Sequence, residues 1–282
     1  MKPALVIARL TLREAARRKL VAVFLVLTIA MVGLSAWGFY HLAHTNSITS
    51  GEVQIAMPQA LILFMFMFSF VVALSASAIA SPAVSAEVES GVLLTVATRP
   101  IRRSEILIGK WFGLAALVAG YSVFVSVLEI LVVKAVSGFL PPNPMAVAAY
   151  LFAEGAVLLT LVLTISTRLS TLATGVLGVA LFGAGWLSGV VGALGTSLNI
   201  STLRTVGNVS RYLLPTDGLW HGAIYYLEPS GLIARHFEGD TGGAGNPFFA
   251  LSAPSWDYLL YAAIWALVIF GIGITSFQKR EL

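Results

Sequence analysis

Two acids inside long apolar runs are the first residues of this sequence that could do chemistry. Glu129 lies in YSVFVSVLEILVV and Glu154 in AAYLFAEGAVLLTL. An ionised carboxylate in hydrocarbon costs several kcal/mol unless it is paired, solvated or protonated. Each acid therefore needs either a cation, for which Lys134, Arg204 and Arg211 are available, or a hydrated transport path that it lines. His41 and His44 stand at i, i+3 and could touch one metal ion, but no further ligand accompanies them, so no metal site is expected. The four histidines, His41, His44, His221 and His236, fall outside the apolar runs, and no aspartate lies within one. Intramembrane proteolysis of the serine or aspartyl kind thus lacks its residues. Phosphate cradling needs G-x-x-x-x-G-K-[ST] before a helix. The Gly109-Lys110 pair is followed by Trp111 and lacks the upstream glycine, so no nucleotide is expected to be hydrolysed on this polypeptide and no catalytic residue is assigned.

The elements that must position these residues follow from composition. Of 282 residues, 11% are charged and 58% hydrophobic, and the mean hydropathy is +0.90. A soluble domain carries about 25% charged residues. Thirty charged side chains cannot screen this much apolar surface from water, so the solvent is mostly lipid. The net charge of +4 comes from Lys and Arg beside apolar runs, with no aromatic-basic surface, which argues against nucleic acid as a partner. The absence of cysteine removes disulfides, thiolate catalysis and thiolate metal sites.

A helical span takes roughly 20 mostly apolar residues. Six runs qualify, about Val21 to Tyr40, Met57 to Ala80, Trp111 to Val133, Ala146 to Ile165, Leu172 to Leu194 and Tyr258 to Phe277. Their backbone amides must be satisfied within each segment, which makes them helices and the fold class all-α, polytopic. Lys2, Arg9, Arg13, Arg17, Arg18, Lys19, Arg99, Arg102, Arg103, Lys110, Arg168, Lys279 and Arg280 fall on one side, against Lys134, Arg204, Arg211 and Arg235 on the other. The positive-inside rule then puts both termini in the cytoplasm. The basic start is expected to be retained rather than cleaved as a signal peptide, because its apolar run is too long and ends in Trp37 and Tyr40. Arg9, Arg13 and Arg17 recur at i, i+4 over residues 1–20. They suit either an interfacial helix among anionic lipid head groups or ordinary positive-inside flanking.

Residues 195–256 form a long outer loop with too many aromatics for a disordered linker, so short helices on or dipping into the outer leaflet are expected, with Gly239 to Asn246 as a mobile loop. This loop could recruit an extracytoplasmic partner. Gly185 and Gly189 in the fifth span give a small-xxx-small face for close helix approach, either to a second copy of the chain or within it.

The stretch Ser81 to Trp111 reads SPAVSAEVESGVLLTVATRPIRRSEILIGKW. Ser81-Pro82 predicts a capped helix start, Pro100 a stop, and Ser104 with Glu105 a second start. Carboxylates at Glu87 and Glu89 followed by Val92, Leu93, Leu94 and Val96 offer charge beside an apolar ridge, a combination that suits docking into a partner's groove.

Glu87, Glu89 and Gly91, then Pro100, Arg103 and Glu105, then Gly109-Lys110, resemble the signature loop of ABC-2 type permeases, the membrane subunits of prokaryotic ABC exporters. Val92 departs from the threonine that many members carry. The resemblance extends to the six-span layout, the basic N-terminal helix, Leu214-Pro215-Thr216-Asp217 and the terminal FQKREL, and so covers the chain as a single transmembrane domain, 1–282. Its look is closest to the permeases that accompany nitrous oxide reductase maturation. The resemblance implies that residues 81–105 form a coupling segment. Glu87, Glu89, Gly91, Arg99, Pro100, Arg103, Glu105, Gly109 and Lys110 would engage a separate ATPase, present in two copies, which holds the ATP and Mg. It further implies a homodimer whose path is enclosed by spans one, two and five, in the cytoplasmic (inner) membrane. A self-sufficient ion-coupled carrier and a membrane anchor of a larger complex are the competing readings.

Overall fold

The computed structural model describes residues 3–44, 50–91, 102–228, 246–250 and 252–280. Among them there are ten helices and no strand: α1 (Pro3–Ala16), α2 (Lys19–His44), α3 (Ser50–Ala80), α4 (Pro82–Glu89), α5 (Arg103–Ser137), α6 (Pro144–Ser166), α7 (Thr171–Ser197), α8 (Ser201–Leu213), α9 (Thr216–Leu227) and α10 (Trp256–Gln278). Six stretches are long and apolar enough to cross a membrane: α2, α3 run together with α4, α5, α6, α7 and α10. The expected six spans and the all-α polytopic class hold.

The helix α6 sits at the centre, packed against α3, α5, α7, α9 and α10. One apolar core, including Ala15, Val84, Leu107, Leu163 and Phe277, lies at the end of the bundle that carries α1 and α4. A second, including Phe39, Leu61, Val133, Leu151 and Trp220, lies at the opposite end. The first end, which holds most of the Lys and Arg, is termed the basic end.

Pro82 does not interrupt the chain as its spelling suggests. Ser81 keeps helical angles (φ −55°, ψ −47°) and its amide donates to Ser77 O at 2.9 Å, so α3 runs into α4 almost without a break. The φ of Pro82 suits the helix, but its missing amide leaves the carbonyl of Ala78 without its usual i+4 backbone donor. The expected hydroxyl cap is absent, and Ser81 Oγ turns back to Ala78 O at 3.4 Å. Ser104 is likewise not the cap of α5. That position is Arg102, whose amide donates to Glu105 Oε2 at 3.1 Å. The helix α5 therefore starts well before the predicted span, and Gly109-Lys110 lies inside it.

Those glycines have a use there. A Cβ on Gly109 would come 2.6 Å from Ala4 O, and one on Gly113 would come 2.5 Å from Ala8 O. Glycines at i, i+4 on α5 thus admit α1 at backbone contact, the small-xxx-small geometry of membrane helices. Thr11 and Ala15 continue the same stripe of α1, while Arg9 and Arg13 face outward. Arg17 lies past the end of α1, in the turn to α2.

The expected outer-loop helices are present as α8 and α9. Left-handed Asn199 (φ 56°) folds α8 back on α7, where Gly192 and Gly207 cross with no room for a side chain. The helix α9 is enclosed rather than superficial, with Leu219, Trp220, Ala223, Ile224 and Leu227 all buried. Burial pushes the carboxyl of Glu228, just past α9, up to about 8, while a backbone hydrogen bond at Ala250 pulls it the other way. Gly185 and Gly189 face this same segment. A Cβ on Gly185 would meet Leu214 at 3.2 Å and one on Gly189 would meet Asp217 Cγ at 2.5 Å. Both glycines therefore lie against the Leu214–Asp217 stretch of their own chain.

Gly113→Leu would drive four carbons into the backbone of α1. Overpacking of this kind costs about 1–3 kcal/mol. Thermal unfolding in detergent should show a clearly lowered midpoint and faster proteolysis within α1, whereas Gly120→Leu, where a Cβ meets nothing within 4 Å, should change neither.

Candidate functional site

Polar side chains at the basic end join α4 to two spans, α5 and α7, and its backbone continues a third, α3. Glu87 Oε1 accepts from Lys110 Nζ on α5 at 2.6 Å. The lysine side chain is only 7% exposed and that of Glu87 30%, so the ion pair is largely withdrawn from water. Two residues on, the carboxylate of Glu89 receives the backbone amide of Thr171 at 3.0 Å and its hydroxyl at 3.2 Å. Thr171 is the first residue of α7, and the preceding Ser170 makes no side-chain cap. Glu89 thus caps α7 from another helix, placing negative charge at the positive end of its dipole. Ser85 Oγ reinforces the joint at 2.8 Å from Thr171 Oγ1. The spacing explains itself: residues 85 and 89 are one turn apart and face α7, while 87 lies on the side facing α5. Gly91, at φ +71°, ends the segment in a conformation that L side chains rarely adopt.

Arg103 works at the neighbouring helix end. Its Nη1 donates to the carbonyls of Phe277 and Gln278 at 3.3 Å and of Arg280 at 2.6 Å, satisfying the C-terminus of α10. Arg280 Nη1 in turn donates to Thr167 O at 2.5 Å, and Arg168 Nε to Ser276 Oγ at 2.6 Å, tying α10 to the α6–α7 turn.

The residues expected to engage an ATPase are therefore brought together, but with partners inside the chain. Glu87, Glu89, Arg103 and Lys110 hold helices to one another, Glu105 caps α5, and Gly109 seats α1. Arg99, Pro100 and the ridge Val92, Leu93, Leu94 and Val96 lie outside the described residues. Ser85, Thr171, Arg168 and Arg280 were not singled out from sequence. Serines, threonines and flanking arginines abound in this chain, and only the fold distinguishes these.

Among the described residues the two intramembrane acids have no cationic partner. Ser35 Oγ donates to Glu129 at 2.9 Å and Ser69 Oγ to Glu154 at 2.8 Å. The proposed cationic partners are placed elsewhere: Arg204 is bonded to Gly195 O and Asn199, Arg211 lies 3.7 Å from Asp217, and Lys134 is exposed. Glu129 Oε1 and the hydroxyls of Ser122 and Ser126, all buried on one stripe of α5, have no partner among the described residues.

Removing one member of a buried ion pair costs about 3–5 kcal/mol, because the other charge stays buried and unpaired. Glu87→Gln should therefore lower the unfolding midpoint in detergent more than Glu87→Gln combined with Lys110→Met. Additive losses would contradict a direct pair.

The family model described as ABC-2 family transporter protein matches residues 5–282. No match was found among the curated proteins compared. With six spans, a short helix joined to three of them and a match across nearly the whole length, this chain belongs to the ABC-2 family of transporter proteins.

Proposed function

We propose that this chain is the permease subunit of an ATP-driven exporter, working as a homodimer with two copies of a separate ATPase that supplies the ATP and Mg chemistry. The observation that carries this reading is the joint at Glu89. A force applied to α4 is delivered through Glu89 to the start of α7, through Glu87 to α5, and directly along α3, with which α4 is continuous. In this reading the basic end faces the cytoplasm of a prokaryotic cell in its inner membrane, as the positive-inside rule requires. The charged residues transmit the push, and the exposed surface of α4 with the segment after Gly91 receives it.

The second copy would cover the lipid-facing sides of α2 and α7. Val26, Ile29, Val176 and Leu187 are exposed there, and a Cβ on Gly183 would meet nothing within 4 Å. Gly185 and Gly189 have no part in that contact, since both are covered by the Leu214–Asp217 stretch. Glu129 and Glu154 would serve as polar points beside the path enclosed by the spans, each held by one serine hydroxyl. The α1 cations Arg9 and Arg13 face outward and suit anionic lipid head groups. The family match carries no preference for the permeases that accompany nitrous oxide reductase maturation.

Purified from its native cell with a tag, the chain should capture a P-loop ATPase in stoichiometric amount. Reversing the charge of Glu89 and Arg103 together should sharply lower the ATP hydrolysis of that complex. Accumulation of cargo by the chain alone on an ion gradient would favour the carrier reading, and capture of a complex with no ATPase would favour an anchor.

A further inference from the structure

A cavity of about 600 Å³ opens at the end of the bundle opposite α4, between the C-terminal turns of α7, the helix α8, the first turns of α9 and the start of α10. Its size is that of a small-ligand site. The wall holds one nearly enclosed carboxylate, Asp217, whose side chain is 6% exposed. Ordinary N–H···O hydrogen bonds run to about 3.2 Å. Among the described residues the basic groups beside Asp217 are farther: Arg211 Nε at 3.7 Å and the imidazole Nδ1 of His221 at 3.5 Å, and that His nitrogen is already 2.8 Å from the backbone oxygen of Asp217. Among the described residues this carboxylate has only these two loose contacts and no ordinary side-chain hydrogen bond, and it lines the cavity, so a donor placed there would find an acceptor. Its position is built in, since Gly189 leaves space that a Cβ would fill at 2.5 Å from Asp217 Cγ.

Arg211 lines the same cavity, and its guanidinium makes no hydrogen bond to other described residues. Arg204, also in the wall, is committed to Gly195 O and Asn199. Asp217 and Arg211 are thus a loose ion pair at 3.7 Å, and the acceptor and the forked donor that this pair leaves without close hydrogen bonds line one cavity. A ligand that satisfies both carries an ammonium N–H group beside an anionic oxo group.

The rim indicates the depth in the bilayer. Trp256 is 85% exposed and Tyr212 and Leu213 are also exposed, while the rings of Tyr212, Tyr258 and Tyr261 cluster at centroid distances of 5.3 to 6.3 Å. Exposed Trp and Tyr at helix ends mark the headgroup level of a membrane. We infer that this cavity binds a zwitterionic headgroup of the ethanolamine phosphate type, with the primary ammonium donating to Asp217 and the phosphate accepting from Arg211. The inference needs only the spans and does not depend on the ATPase.

The shared chemistry is available from phosphatidylethanolamine or from free phosphoethanolamine, and choline lipids separate it from generic lipid binding because a trimethylammonium cannot donate. The full-length chain in detergent is titrated with short-chain phosphatidylethanolamine and phosphatidylcholine, and bound lipid is counted by native mass spectrometry. Phosphatidylethanolamine should bind about tenfold tighter, the order expected of a charge-assisted hydrogen bond. Asp217→Asn, which keeps the shape beside Gly189, should erase that preference, and the more exposed Arg211→Gln should weaken both lipids alike. Displacement by equimolar phosphoethanolamine would assign the site to the free compound, and no displacement would assign it to the lipid. Equal binding of the two lipids by the unaltered chain, or a preference that survives Asp217→Asn, overturns the inference.

Discussion

A helix that ends at a membrane surface leaves backbone groups that must find partners, and in this chain a carboxylate from one helix completes another. Glu89 supplies the acceptor that the first amide of α7 lacks, and Arg103 supplies donors for the last carbonyls of α10. Each such bond joins elements far apart in sequence. The basic end is therefore a frame of helix termini held by charged side chains rather than a row of solvated loops. The short helix α4 can move its neighbours only through the bonds of that frame.

The basic end shows why charge is used for this purpose. Apolar packing in lipid has little hydrophobic driving force between helices, so close approach and polar contacts decide which helices move together. Gly109 and Gly113 bring α1 onto α5 at backbone contact, and the next residue after Gly109, Lys110, turns to α4. The N-terminal helix, the third span and α4 are consequently one unit. Glu89 adds the start of α7 to this unit, while α2 and α7 both keep broad exposed apolar surfaces.

Much of this was legible in the sequence. Hydropathy gave the six spans because a bilayer sets their length, and the acidic residues Glu87 and Glu89 picked out by spacing are ones that bond to other helices. What the spacing did not reveal was direction. Glu87 and Glu89 read as charges for a partner, and each also has a partner within the chain, Glu87 on α5 and the exposed Glu89 on α7, since residues two apart on a helix face different neighbours and only the packing says which. The glycines at 185 and 189 carried the same ambiguity: a small-residue stripe states that something comes close, and α9 supplied it from within the chain. The enclosure of α9 was hidden because its apolar residues suit a leaflet surface as well as a protein interior. Serine as the partner of Glu129 and Glu154 was hidden because a single hydroxyl leaves no pattern in a sequence.

The central claim is that α4 and α7 move as one body when the ATPase acts. The absence of cysteine makes a direct distance measurement clean. Spin labels at Ser90→Cys and Leu172→Cys, in the complex with its ATPase, report the separation within one chain, and Leu172→Cys alone reports the separation between two copies. With and without ATP, the account predicts an unchanged distance within the chain and a shift of several ångströms between copies, the scale of helix movements in such transitions. A change in the α4–α7 distance with a fixed separation between copies would contradict it.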